Sequence, residues 1–159
     1  AQMLPLLARV PAVFAAAMLP FRFDALRRLP MTYGWLSKRS VPREVMDRWF
    51  GPIVSQREIR RDLAKYVTSA KRARAELVAV EPRLAAFDRP ALIVWAKQDR
   101  MMPLEHGRRL AALMPKGRLV EVEDSYTLIS EDQPELLARE LRAFIAEPSH
   151  AAAALQQAE

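Results

Sequence analysis

The chain has 159 residues, 51% of them hydrophobic, carries a net charge of +6 and contains no cysteine. That length suffices for one ordinary domain with a buried core and is too short for two independent ones. The lack of cysteine excludes disulfide staples, thiolate metal sites and a cysteine nucleophile, and is compatible with any compartment. The 25 basic residues stand beside acidic ones in helical segments, as at Arg60, Arg61, Asp62 and Lys65 or Lys71, Arg72, Arg74 and Glu76. That is the pattern of a solvated helix face, so nucleic acid is not an expected partner.

The first twenty positions are apolar, with Ala12 to Leu19 resembling a short hydrophobic region. Pro5, Pro11 and Pro20 cut the run below the ~20 residues that a membrane span needs, so buried helices are expected, with no membrane span and a cytoplasmic location. The opening at Ala1 lies inside an apolar pattern, and the true start is expected upstream. Val45, Met46, Trp49 and Phe50 suit a short helix opened by Pro42 and stopped at Gly51-Pro52. Trp35 and Trp49 are candidates to line a ligand pocket, the alternative being simple packing.

Ser55-Gln56-Arg57-Glu58 has capping-box spacing, which predicts a helix starting at Gln56. Ile59, Leu63, Val67 and Ala70 form its apolar stripe, with Arg and Lys opposite. A second amphipathic helix is predicted through Leu77, Val80, Leu84 and Phe87. Near residue 87 helical periodicity gives way to a compact β-type run.

Ala91-Leu92-Ile93-Val94-Trp95 is continuous and apolar, as in a parallel strand covered on both faces. Leu104 to Met114 reads as a helix ending at Pro115-Lys116-Gly117. Arg118 to Val122 reads as a second strand. After a polar loop, Asp132-Gln133-Pro134-Glu135 offers an acidic N-cap for a last helix through Leu136, Leu137, Leu141, Phe144 and Ile145. Strand, helix, strand, helix in that order implies a parallel α/β sheet with right-handed crossovers. Beyond Glu147 the polyalanine tail is expected to fray.

Residues 89–146 resemble the C-terminal core of the α/β-hydrolase family. The resemblance rests on an ordered set: Arg89-Pro90 before the strand, Trp95-Ala96-Lys97-Gln98-Asp99 at its end, Pro103-Leu104-Glu105-His106 at the next helix, and Asp132-Gln133-Pro134 at the last. Residues 20–86 resemble, less specifically, the helical cap that many members insert before this strand. The implied organisation is a helical cap over residues 1–86, a partial α/β-hydrolase core of two parallel strands with flanking helices over 87–147, and a flexible tail over 148–159.

The resemblance implies that Asp99 is the catalytic acid, which in the family orients a histidine that activates the nucleophile. A carboxylate there projects from the carboxyl end of a parallel strand, where α/β proteins place ligands; the alternative is a turn or capping aspartate. The family histidine stands five residues before the acidic member of the Gln-Pro motif, and that count reaches Thr127. Asp124-Ser125-Tyr126-Thr127-Leu128 holds no histidine. His106 falls on the helix after Asp99 and His150 in the tail, and neither is expected to be catalytic.

The family's nucleophile elbow and oxyanion segment precede the cap, so both would belong before Ala1; the four glycines, at 34, 51, 107 and 117, form no elbow. The chain alone is therefore not expected to be catalytically competent. Tyr126 can donate a hydrogen bond to a ligand, or pack on the sheet edge.

No cofactor is implied: two isolated histidines make no zinc helix, and scattered glycines make no phosphate loop. Glu123-Asp124 and Glu131-Asp132 read as loop and capping carboxylates. The family activity implied is hydrolysis of a small apolar ester, epoxide or similar substrate, the competing reading being a non-catalytic relative that binds a small apolar ligand or a partner chain. In the family the strand at 91–95 pairs with an earlier central strand, so self-association, or pairing with an N-terminal half, is expected.

Overall fold

Strand β1, Ala91–Ala96, and strand β2, Gly117–Val122, pair in parallel from Ala91↔Gly117 to Ala96↔Val122. The computed structural model in which they are seen describes residues 6–30 and 32–147, without the side chains of 70–73, so the side chain of Ala70, His150 and the expected frayed tail lie outside what is described. The described residues fall into two compact units, those up to 34 with 41–82, and 35–40 with those from 83 onward.

The first unit is helical. Helix α1, Pro11–Met18, has proline in its first turn, where the missing N–H costs nothing. A 3₁₀ turn over Leu19–Arg22 and the single turn α2, Asp24–Arg27, follow. Helix α3, Arg43–Ser55, opens after Pro42 as expected but runs through Gly51-Pro52 instead of stopping there. Proline removes one helical hydrogen bond. The far end is held nonetheless: the Gln56 amide donates to the Pro52 carbonyl at 2.8 Å, and Arg60 Nη1 donates to the carbonyls of Ile53 and Val54 at 3.1 and 2.7 Å.

The predicted capping box does not form. Ser55 is the last residue of α3, and its hydroxyl donates backwards to the Gly51 carbonyl at 2.8 Å. Helix α4 therefore begins at Arg57, without a side-chain cap, and continues to Ala79. It absorbs most of the second helix expected around Leu77, leaving only the short α5, Glu81–Ala85. Leu77 and Phe87 are exposed, so the apolar stripe predicted through them is not a buried one.

Among the described residues, two hydrophobic clusters fill this unit. Phe14, Met18 and Ala8 pack with Leu63, Ala64 and Val67 of α4. Val41, Met46 and Phe50 pack with Tyr33, Val45 and Trp49, and Phe50 stacks on Phe21 with ring centroids 5.3 Å apart. Arg27 is buried, and tolerates burial because its guanidinium donates to the Phe21 carbonyl and pairs with Asp47.

The second unit carries the sheet. Helix α6, Leu104–Leu113, links β1 to β2 as a βαβ crossover. The ladder brings Ile93 opposite Leu119 and Val94 opposite Val120. A one-turn helix α7, Ile129–Asp132, lies within the segment expected to be a polar loop, and helix α8 runs Pro134–Ala146. Ala96, Val122 and Ile129 form the core with Val94, Val120, Leu136 and Leu137. Among the described residues β1 has a strand neighbour on one edge only, and no helix is long and apolar enough to cross a membrane.

Candidate active site

The carboxyl end of β1 turns at Lys97–Asp99, where the Lys97 amide still donates to the Val122 carbonyl at 2.9 Å. Asp99, half-buried, closes the turn: its Oδ1 accepts the amides of Met101 and Met102 at 2.8 and 2.9 Å. This is the local side-chain to backbone bonding that makes aspartate a turn residue. Trp95 fixes the loop from below, its indole N–H donating to the Met102 carbonyl at 3.0 Å. Gly107 on α6 makes room for that ring, since a Cβ there would stand 2.8 Å from it.

The same Asp99 Oδ1 accepts the Thr127 hydroxyl at 2.8 Å. Two positions 28 apart in sequence thus meet above the sheet. Tyr126 is half-buried beside them, with the Arg100 guanidinium 4.5 Å from its ring centroid. Trp35 is half-buried in the second unit, whereas Trp49 belongs to the first, packed against Tyr33 with centroids 5.1 Å apart. His106 is exposed on α6. Among the described residues no cluster of metal-ligating side chains occurs.

A further residue organises the loop that carries Thr127. Asp132, expected to cap the last helix, does not cap it; Gln133 stands at that position and makes no side-chain cap bond. The Asp132 carboxylate instead turns inward, fully buried. It accepts the Ser37 hydroxyl at 2.8 Å and the amides of Lys38, Arg39 and Tyr126 at 2.9, 2.8 and 2.9 Å, and the Ser125 hydroxyl at 3.2 Å.

Residues 37–39 and the Thr127 loop are thereby tied to one anion, and the Leu128 amide adds a 2.7 Å bond to the Leu36 carbonyl. Burial pushes the Asp132 carboxyl up, but the amides of Lys38, Arg39 and Tyr126 and the Ser37 hydroxyl outweigh it and hold the group below the usual carboxylate range. Sequence reasoning missed Ser37, Lys38 and Arg39, because nothing local marks donors that lie some ninety residues from their acceptor.

Lys38 also bridges outward, its ammonium reaching Asp124 Oδ1 and Gln98 Oε1, each at 2.6 Å. Its hydrogen bond to Asp124 lowers that carboxyl, with Arg39 adding to the effect. Asp124 holds a left-handed φ of 54°, a conformation that aspartate tolerates better than most residues. It reverses the chain between β2 and the Thr127 loop.

A profile of the α/β hydrolase fold family matches residues 3–134, and the chain belongs to that family. It is 36% identical over 67 residues to an uncharacterized hydrolase, YugF, of Bacillus subtilis, a stretch covering 42% of this chain and 24% of that protein. It is 35% identical over 57 residues to a 2-hydroxy-6-oxo-6-phenylhexa-2,4-dienoate hydrolase of Burkholderia cepacia, covering 36% and 20% respectively. An α/β hydrolase fold protein from Burkholderia ambifaria superposes with a TM-score of 0.63 at 20% identity, over 89% of this chain and 50% of that one. The chain thus spans a quarter or less of the curated relatives it matches and half of that solved structure. The two-stranded parallel unit is a partial α/β-hydrolase core.

Proposed function

We infer that this chain supplies the acid arm of an α/β-hydrolase acting on a small apolar ester, epoxide or similar compound, with Asp99 as the triad acid. The observation that carries this reading is the 2.8 Å bond from Thr127 to Asp99 Oδ1. Thr127 is where the resemblance counts the family histidine, and an imidazole there would have its N–H within reach of the carboxylate that should orient it. Trp35 and Tyr126, both in the second unit, are the proposed substrate contacts. The relative named for a phenyl-bearing oxo-dienoate adds such a compound to the candidates.

A second reading, a non-catalytic relative that binds a small apolar ligand or a partner chain, is favoured by Thr127 itself. A threonine hydroxyl does not accept a proton near neutral pH, and losing a triad base removes several orders of magnitude in rate. The test joins the family's nucleophile and oxyanion segments to the N terminus of this chain, and assays short aryl esters and the oxo-dienoate. On the acid-arm reading Thr127→His raises turnover by about a hundredfold or more, and Asp99→Asn abolishes the gain. Turnover indifferent to both changes sinks that reading and leaves the binding one.

A further inference from the structure

The first unit holds a cavity of about 740 Å³ that the hydrolase reading does not use, walled by the α1 region on one side and α4 on the other. Its volume falls in the range of small-molecule sites, roughly 300–1,000 Å³. Ala8, in the turn before α1, and Ala12 and Ala15 on α1 line one wall, and Ala64 faces them from α4. With buried Phe14 they make an apolar floor, kept open because the side chains are small.

The rim is of one charge. Arg57, Arg61 and Lys65 follow one another at four-residue intervals, so they form a single ridge of α4, and Arg9 stands on the opposite wall. Among the described residues no carboxylate lines the cavity. Arg60 is committed to the α3 carbonyls. Asp62 is shared between Arg61 and Lys65 at 3.2 and 3.4 Å and is itself largely exposed. Arg9 and Arg57 have no ion pair among the described residues.

Cations gathered around low-dielectric walls focus a positive potential into the groove, and their aliphatic stems extend the apolar surface. A neutral apolar ligand would leave that potential uncompensated, and a small anion would leave the floor wet. A ligand with both parts satisfies both surfaces. We propose that this cavity binds an amphiphile with a single alkyl chain and an anionic head, the chain on Ala12, Phe14 and Ala15 and the head between Arg57 and Arg61. Two helical walls suit one chain taken from solution as a free acid, rather than the flat surface of a bilayer. The site lies wholly in the first unit and does not rest on the chemistry at Asp99.

Calorimetric titration of the 159-residue chain tests this with laurate below its micellar concentration, dodecyltrimethylammonium, acetate and phosphatidylglycerol vesicles. Laurate should saturate one site per chain. Dodecyltrimethylammonium, which keeps the chain and reverses the charge, and acetate, which keeps the head and loses the chain, should each bind at least about tenfold more weakly. The double variant Arg57→Glu, Arg61→Glu, at two exposed positions, should weaken laurate by about tenfold while circular dichroism stays unchanged. Should that variant misfold, Ala12→Phe decides: it fills the floor from an exposed position with every charge intact, and should also abolish binding. Equal binding of the anionic and cationic amphiphiles overturns the proposal, as does full laurate affinity in the variants. Vesicle binding without uptake of monomeric laurate overturns it too, and would mean a membrane-docking surface.

Discussion

Asp132 has no solvent contact and is nonetheless held in its charged form. Five donors converge on it, and three of them are backbone amides that would lose their partner if the carboxylate were neutralised. Its folded pKa lies below the unfolded value of about 3.9. The stability it contributes is therefore complete above that value and is lost as pH falls through the depressed folded one. Urea unfolding should show stability declining below about pH 4. Asp132→Asn should cost on the order of 3 kcal/mol at pH 7, because its amide group places donors against donors, and should flatten that acid decline. An unchanged acid limb in the variant would assign the decline to other carboxylates.

The Asp99 and Thr127 positions could be read in advance, since both follow from short motifs counted along the chain. The role of Asp132 could not. Its local sequence is equally that of an N-cap, and the deciding partner, Ser37, is 95 residues away.

At the scale of elements, two glycines on helices answer to different rules. Gly51 lies inside α3, and apart from its chain neighbours and the helix's own backbone nothing stands within 4 Å of where a Cβ would sit. Alanine there loses less backbone freedom on folding, but its Cβ meets the Cδ of Pro52 in the next position, so the two effects oppose and Gly51→Ala should leave stability within about 0.5 kcal/mol of the parent. Gly107 meets the Trp95 ring at 2.8 Å. Gly107→Ala must displace the indole or the helix and should cost about 1–3 kcal/mol, with a shift in Trp95 fluorescence as its N–H leaves Met102. Thermal melts of both variants check the difference, and a neutral Gly107→Ala would show that the ring has room to yield.

The same contrast explains which elements were legible. The β1-α6-β2 order and its bounds were visible within a residue, because an apolar run between Pro90 and Asp99 has no competing interpretation. In the helical half, signals were local and ambiguous. Ser55 has N-cap spacing to Glu58, yet the same hydroxyl can bond back to Gly51, and it does so because α3 survives Pro52 and delivers Ser55 to its own final turn. The Ala-rich stretch after Tyr66 has high helix propensity, so α4 ran on where a break between two helices was expected.

For the molecule as a whole, the bare edge of β1 has the largest consequence. The amides of Ala91 and Lys97 both donate toward the β2 side, to the carbonyls of Lys116 and Val122. Strand alternation then leaves the amides of Leu92 and Val94 on the outer edge, where no strand meets them among the described residues. An unpaired edge of Leu, Ile and Val is a template for another strand, and the 159-residue chain is expected to self-associate through it. Sedimentation velocity should show a weight-average mass that rises with concentration. Leu92→Pro removes an outward amide without removing a ladder bond, and should shift that rise to higher concentration while far-ultraviolet circular dichroism is retained. If Leu92→Pro associates like the parent, the exposed apolar side chains of the helical unit, Leu19 and Phe23 among them, carry the contact instead. A sharp monomer at every concentration, with cooperative unfolding, would mean that the edge is protected and that neither surface is adhesive.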